Sequence, residues 1–183
     1  AVVYEIKDRV RILFRALGYG RYANRLDVAT FHSFALRHQK SIDLYEEDAI
    51  GQAVHTFAEM MESDEKFARR IAGRYRAVLV DEFQDMNEDF YGVVKVILAH
   101  CVGGGMVIGD DDQDILTWNR RDWQKKYRRD CPLSARHYFS MFNRSLRPDK
   151  HTLTLNYRSV PEIVLRTNNM IRTISDRVGF PRM

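Results

Sequence analysis

Apolar residues recur at helical spacing from Glu5 to Leu17, where Ile6, Val10, Leu13, Phe14 and Leu17 fall on one face. Gly18 and Gly20 end that run. From Leu26 to Phe31 a short apolar run predicts a strand with a polar exit, Thr30–Phe31–His32–Ser33, and a helical stretch carrying His38 and Lys40 begins near Phe34. Glu46 to Ile71 predicts one or two helices with Ile50, Val54, Phe57 and Met61 on one face and a break at Ser63–Asp64. A buried strand, Ala77 to Val80, is followed by a helix from Asn87 to His100 that turns Phe90, Val93, Val94, Ile97 and Leu98 inward. After the turn Gly103–Gly104–Gly105 comes a second short strand, Met106 to Ile108, then a basic helix from Arg120 to Arg129. Tyr138, Phe139, Met141 and Phe142 predict a packed helical piece between Asp130 and Lys150. Thr152 to Leu155 reads as a strand, and Pro161 opens a final helix with Ile163, Val164, Met170, Ile171 and Ile174. Strands alternating with helices predict an α/β fold, a parallel sheet with helices on both faces. The sequence contains no internal repeat and no low-complexity segment.

Three of these strands share one arrangement, a short apolar run followed by polar residues. The exits are Asp81–Glu82–Phe83–Gln84–Asp85, Gly109–Asp110–Asp111–Asp112–Gln113 and Asn156–Tyr157–Arg158–Ser159. In a parallel sheet such exits lie along one edge, where open α/β sheets bind ligands. Carboxylates, a glutamine, an aromatic ring and a guanidinium gathered there suit a magnesium-bound polyphosphate nucleotide. Taken alone, AVLVDEFQD would read as a strand followed by an acidic helix cap.

Size and composition narrow the picture. A chain of 183 residues suffices for one domain rather than two full ones. The hydrophobic share of 45% and charged share of 30% are those of an ordinary globular chain. No apolar run is long enough to span a membrane, and the N-terminus lacks the order of a signal peptide. Cys101 and Cys131 have no metal-ligand spacing; free thiols in a reducing cytoplasm are favoured over a disulfide, which sequence alone leaves open. The net charge of +4 is weak evidence for a nucleic-acid partner. The distribution says more: acids gather at Asp81–Asp89 and Asp110–Asp114, bases at Arg120–Arg129, Arg136–Arg147 and Arg158–Arg177.

VLVDEFQD, GDDDQDILTW and LTLNYRS, in that order, resemble the second, third and fourth conserved motifs of the UvrD/Rep/PcrA family of superfamily-one DNA helicases. TFHSF at Thr30 to Phe34 resembles a further motif of the same amino-terminal motor domain, and AVVYEIKDRV resembles the tail of the family's NKAAxEMxxRI segment. The resemblance covers most of the chain, with Lys40–Asp48 and Arg120–Lys150 matching poorly. It implies a RecA-like P-loop NTPase domain made of residues 1–34 and 76–183, with residues 35–75 as a reduced helical insertion. It also implies that ATP and Mg²⁺ are used, and that single-stranded or partial duplex DNA and a second motor domain of the same parent chain are partners. It implies a cytoplasmic, nucleoid-associated location and a role of the DNA-repair kind.

By this resemblance Asp81 coordinates Mg²⁺ through water, Glu82 activates the attacking water, and Gln113 senses the γ-phosphate and couples it to the DNA path. Tyr157 stacks on the adenine, Arg158 reaches the γ-phosphate, and Gln84 and Asp85 tie the acidic turn to neighbouring motifs. Trp118 falls where the family places a ring that stacks on a DNA base, and Thr30 and His32 fall near the DNA backbone. For Trp118 a core tryptophan is the rival reading, and for His32 a structural histidine is as good a reading as a DNA contact.

The chain also departs from the family pattern. Where the family has Ser, Tyr and Arg after the glutamine, this sequence has Asp114, Leu116 and Asn119, and the segment from Arg120 to His151 is longer and basic. No GxxxxGK[ST] phosphate loop occurs. In the family that loop lies upstream of the segment with which this sequence opens, so the expectation is a piece of a longer motor, inactive by itself. Two other readings are available. One is a non-catalytic nucleic-acid-binding module on the same fold, with Arg120–Arg147 contacting phosphates. The other is a two-metal nuclease on Asp81, Asp85, Asp110 and Asp112, which leaves Gln113, Tyr157 and Arg158 without a task.

Overall fold

The structure is a computed structural model and describes residues 2–39 and 48–173. The beginning of the helix expected from Glu46, Lys40, and the positions from Ile174 onward lie outside the described residues. The chain divides into two compact units, Ala1–Met60 and Met61–Met183.

The first unit is helical. Helix α1 (Val2–Ala16) forms as its periodicity predicts. Its apolar stripe is only partly covered: Ile6, Leu13 and Leu17 stay exposed while Val10 and Phe14 are half-buried. A 3-10 turn, Gly20–Arg25, packs against it around the buried Ala23. The expected strand at 26–31 is not formed. Residues 26–30 pair with no strand among the described residues, and Phe31 opens helix α2 (Phe31–Arg37). The physical reason is local. The Thr30 hydroxyl accepts from Ser33 N at 3.2 Å, an N-cap that starts a helix where the apolar run suggested a strand exit. Helix α3 (Ala49–Ser63) buries Val54 and Phe57, and Phe57 meets Phe34 edge-on at 5.7 Å.

The second unit holds the sheet. Helix α4 (Glu65–Ala72) is capped by Asp64, whose side chain accepts from Phe67 N. Strand β1 (Val78–Val80) pairs in parallel with β2 (Gly105–Val107), with Leu79 opposite Met106, and these two strands make up the sheet among the described residues. Between them runs helix α5 (Glu88–His100), started by the Asn87 side chain accepting from Phe90 N at 3.0 Å. Its buried Tyr91, Val93, Val94 and Ile97 form the core with α4 and β1. On the opposite face of the sheet Leu79 and Met106 are exposed, so the described residues do not cover both faces. Helices α6 (Thr117–Tyr127) and α7 (Ala135–Leu146) follow, the second being the packed piece that the aromatic residues predicted.

The expected strand at 152–155 is also not formed. Leu153 and Leu155 are exposed and join no ladder among the described residues, because an apolar run makes a strand only where a neighbour completes its hydrogen bonds. The last helix, α8 (Pro161–Ile171), begins with proline in its first turn as predicted. Both thiols are free and buried. No helix among the described residues is long and apolar enough to cross a membrane.

Candidate functional site

Both strand exits on the sheet turn back at once, and hydrogen bonds lock them together. Ile108 N donates to Val80 O at 2.8 Å and Phe83 N to Ile108 O at 2.8 Å, carrying the parallel pairing one step past the strands. Glu82 then takes a left-handed conformation, φ 53° and ψ 46°, which is uncommon for a residue with a side chain. Two bonds hold it there. Its N–H donates to Asp81 Oδ1 at 3.0 Å, and its carboxylate accepts from Gln84 Nε2.

Gln84 is buried, and its other end is equally committed: Oε1 accepts from Asp110 N at 3.0 Å. One amide therefore joins the carboxylate after β1 to the backbone after β2. Gly109 makes room for this bridge. A Cβ there would lie 2.7 Å from Gln84 Oε1, 2.9 Å from Phe83 N and 3.0 Å from Phe139 Cζ. Gly109→Ala is accordingly expected to break the bridge and cost about 1–3 kcal/mol by overcrowding, read as a lower midpoint in urea unfolding.

The second exit is a compact acidic turn. Asp110 Oδ1 accepts from Asp112 N at 3.1 Å, and Oδ2 accepts from the Gln113 amide at 3.0 Å. Arg136, on α7, donates to Asp111 at 3.1 Å and lies 3.7 Å from Asp112. Asp110, Asp111 and Asp112 offer oxygens within 4.8 Å of one another. Asp81 and Asp85 of the four-carboxylate nuclease reading do not join this close cluster among the described residues; the acids that gather are three consecutive ones, held by the turn's own hydrogen bonds and Arg136. Asp81 and Glu82 are exposed, hard oxygen donors at the strand end. That donor set suits Mg²⁺, which keeps several waters and takes one or two carboxylates.

Burial raises the Asp85 carboxyl above the ordinary range, and the Glu82 charge adds to the effect. Burial likewise raises Glu88, against a lowering by the hydrogen bond from Tyr138 Oη. Tyr138 itself is held strongly protonated by burial and by the Glu88 charge. A carboxyl whose folded pKa is raised stabilises the fold while protonated, and that stability is lost as pH climbs through the raised value. Glu88→Gln, which cannot ionise, is expected to match the wild type in acid and to unfold at a higher temperature near pH 7. Thermal unfolding at the two pH values checks this.

Residues that sequence reasoning passed over complete the site. Phe83 is fully buried, with its ring centroid 4.9 Å from Phe139 and 5.3 Å from Phe142. Arg120, read only as part of a basic helix, is fully buried and paired with Asp114 at 2.8 Å. The available signal was Asp114 itself, an acid where the family pattern has Ser, six residues before Arg120.

Trp118 is 60% exposed, so it is not a core tryptophan; Trp123 is, donating to Asp89 at 2.7 Å. Tyr157 is 91% exposed on a turn in which Asn156 Oδ1 accepts from Arg158 N and Ser159 N, each at 2.9 Å. The structure brings Asp81, Glu82, Gln84, Asp85 and Gln113 together through the Gln84 bridge and the Asp110 turn. It records no hydrogen bond from Tyr157 or Arg158 to that group among the described residues. Thr30 and His32 belong to the first unit, both exposed, with Thr30 capping α2.

Comparison with known proteins adds a family likeness to this arrangement of an acidic strand exit, an amide bridge and a glutamine-bearing second exit. Residues 39–125 match the model of the UvrD/REP helicase N-terminal domain. The chain is 32% identical over 121 residues to DNA helicase II of Haemophilus influenzae, an alignment covering 66% of this chain and 15% of that protein. It is 28% identical over 170 residues to the ATP-dependent DNA helicase UvrD1 of Mycobacterium leprae, covering 84% of this chain and 17% of that one. With PcrA of Staphylococcus epidermidis, also named an ATP-dependent DNA helicase, identity is 29% over 133 residues, 72% of this chain and 16% of PcrA. Part of the chain is thus similar to the UvrD/REP helicases, and the chain spans about 15% of the length of the first of these relatives.

Proposed function

We propose that this chain is part of the amino-terminal motor domain of an ATP-dependent DNA helicase or translocase. In this reading β1 and β2 are a portion of a RecA-like sheet, and residues 35–75 are the reduced helical insertion. The observation that carries the proposal is the Gln84 bridge, which holds a strained Glu82 at one strand exit in register with the Asp110–Gln113 turn at the next.

Asp81 would hold Mg²⁺, which would supply positive charge against the phosphates. Glu82 takes the proton of the attacking water, its carboxylate aimed by Gln84 Nε2. Gln113, steadied by Asp110, reports on the γ-phosphate. Tyr157 and Arg158, exposed on their turn, take the adenine ring and the γ-phosphate charge. Trp118 stacks on a base of single-stranded or partial duplex DNA, while Thr30 and His32 face its backbone. A second motor domain of the parent chain supplies a further arginine across the nucleotide.

The test is steady-state ATP turnover by the complete protein, with and without single-stranded DNA. Mg²⁺-dependent turnover that rises with DNA is the expected result. Absence of turnover with both present contradicts the reading. One observation favours a second reading, a non-catalytic nucleic-acid module: Arg121, Lys125, Lys126, Arg128 and Arg129 are all exposed on and just after α6. Steeply salt-dependent DNA binding without ATP turnover would select it.

A further inference from the structure

One buried group at this site has no part in the chemistry above. The Arg120 guanidinium, wholly out of solvent, serves three separate segments. Toward the turn after β1 it donates to Gln84 O and, at 2.7 Å, to Met86 O. Toward the segment after β2 it grips the Asp114 carboxylate at 2.8 and 3.0 Å. Toward α7 it donates to Leu133 O at 3.2 Å and lies 5.7 Å from the Tyr138 ring. Asp114 closes the circuit by accepting from Ala135 N, the first residue of α7, at 2.7 Å.

A buried ion pair adds little net stability, since desolvation offsets most of the attraction. Its distinctive contribution is direction, because the planar guanidinium fixes several acceptors at set angles. Here those acceptors are the main chain two and four residues after Glu82 and the residue directly after Gln113. We propose that Arg120, with Asp114, is a positioning residue for ATP hydrolysis. It sets the spacing between the Glu82 carboxylate and the Gln113 amide, and it ties the α6–α7 segment to both strand exits. This rests on the ATPase reading above.

Lysine at 120 can meet Asp114 but lacks the fork that also reaches Gln84 O and Met86 O. Asparagine at 114 keeps an acceptor of nearly the same size and loses the charge. The complete protein carrying Arg120→Lys or Asp114→Asn is assayed for ATPase activity with single-stranded DNA, and each variant's folded fraction is measured by thermal unfolding. Expected is a kcat lowered by roughly 10- to 100-fold with the KM for ATP within about twofold of wild type, since small misplacements fall on the chemical step. DNA affinity is expected to stay unchanged. A wild-type kcat in either folded variant overturns the proposal, as does a loss of activity no larger than the loss of folded protein. If the wild type itself fails to turn over ATP, the ATPase reading has failed and the positioning role falls with it; turnover in the wild type with unaffected variants overturns the positioning role alone.

Discussion

Glu82→Gln in the complete protein is expected to lower DNA-stimulated ATP turnover by about 10²- to 10⁴-fold, the usual contribution of a general base. The substitution preserves shape, and an amide oxygen at that position still accepts from Gln84 Nε2, so the bridge to Asp110 survives. Only the proton acceptor is lost. ATP binding, measured separately with a fluorescent analogue, is expected to stay within a few-fold of wild type, because Asp81 and the second turn are untouched. A loss confined to kcat identifies the carboxylate as the base; an equal loss of binding would make it a structural part of the nucleotide pocket.

The largest effect on stability is expected from Phe83→Ala. Phe83 lies between the two candidate acids and the buried amide, with its ring fully enclosed. It meets Phe139 and Phe142 of α7 and, at 6.5 Å, Tyr91 of α5. Truncating a buried phenylalanine costs about 3–5 kcal/mol, and more when the cavity cannot collapse. Three aromatic rings on separate helical positions leave little freedom to collapse. Urea unfolding of the variant should show a large fall in midpoint, together with earlier exposure of α7 in hydrogen exchange. A loss below about 1 kcal/mol would mean that the turn is held by its hydrogen bonds and not by this ring.

The sequence made some of this legible and hid the rest for identifiable reasons. α1, α5, α7 and α8 follow from apolar spacing, and α8 also from Pro161, whose ring suits a helix's first turn. β1 and β2 were readable because each is a short apolar run that stops at an acid or a glycine. The runs at 26–31 and 152–155 have the same lettering but no partner strand among the described residues, and pairing is a non-local property that local pattern does not contain. In the first case Thr30 also offered the backbone a helix cap.

At the site, the acids and Gln113 were visible as motifs, whereas the connections between them were not. Gln84 spans residues 26 apart in sequence and Arg120 reaches back 36, distances over which no periodicity speaks. Arg120 was further disguised by its neighbours. In a run of exposed bases a single buried one is distinguished only by the acid, Asp114, that it meets. The aromatic cluster at 138–142 announced packing but not its target, which proves to be the turn that carries Glu82.

The most direct measurement is a crystal structure of the complete protein with Mg²⁺ and a non-hydrolysable ATP analogue. The account predicts Asp81 in the shell of the ion, Glu82 and Gln113 within about 3–4 Å of the γ-phosphate or its attacking water, and Arg158 on the same phosphate with Tyr157 against the adenine. Nucleotide bound elsewhere, or Glu82, Gln113 and Arg158 facing different surfaces around it, would contradict the account.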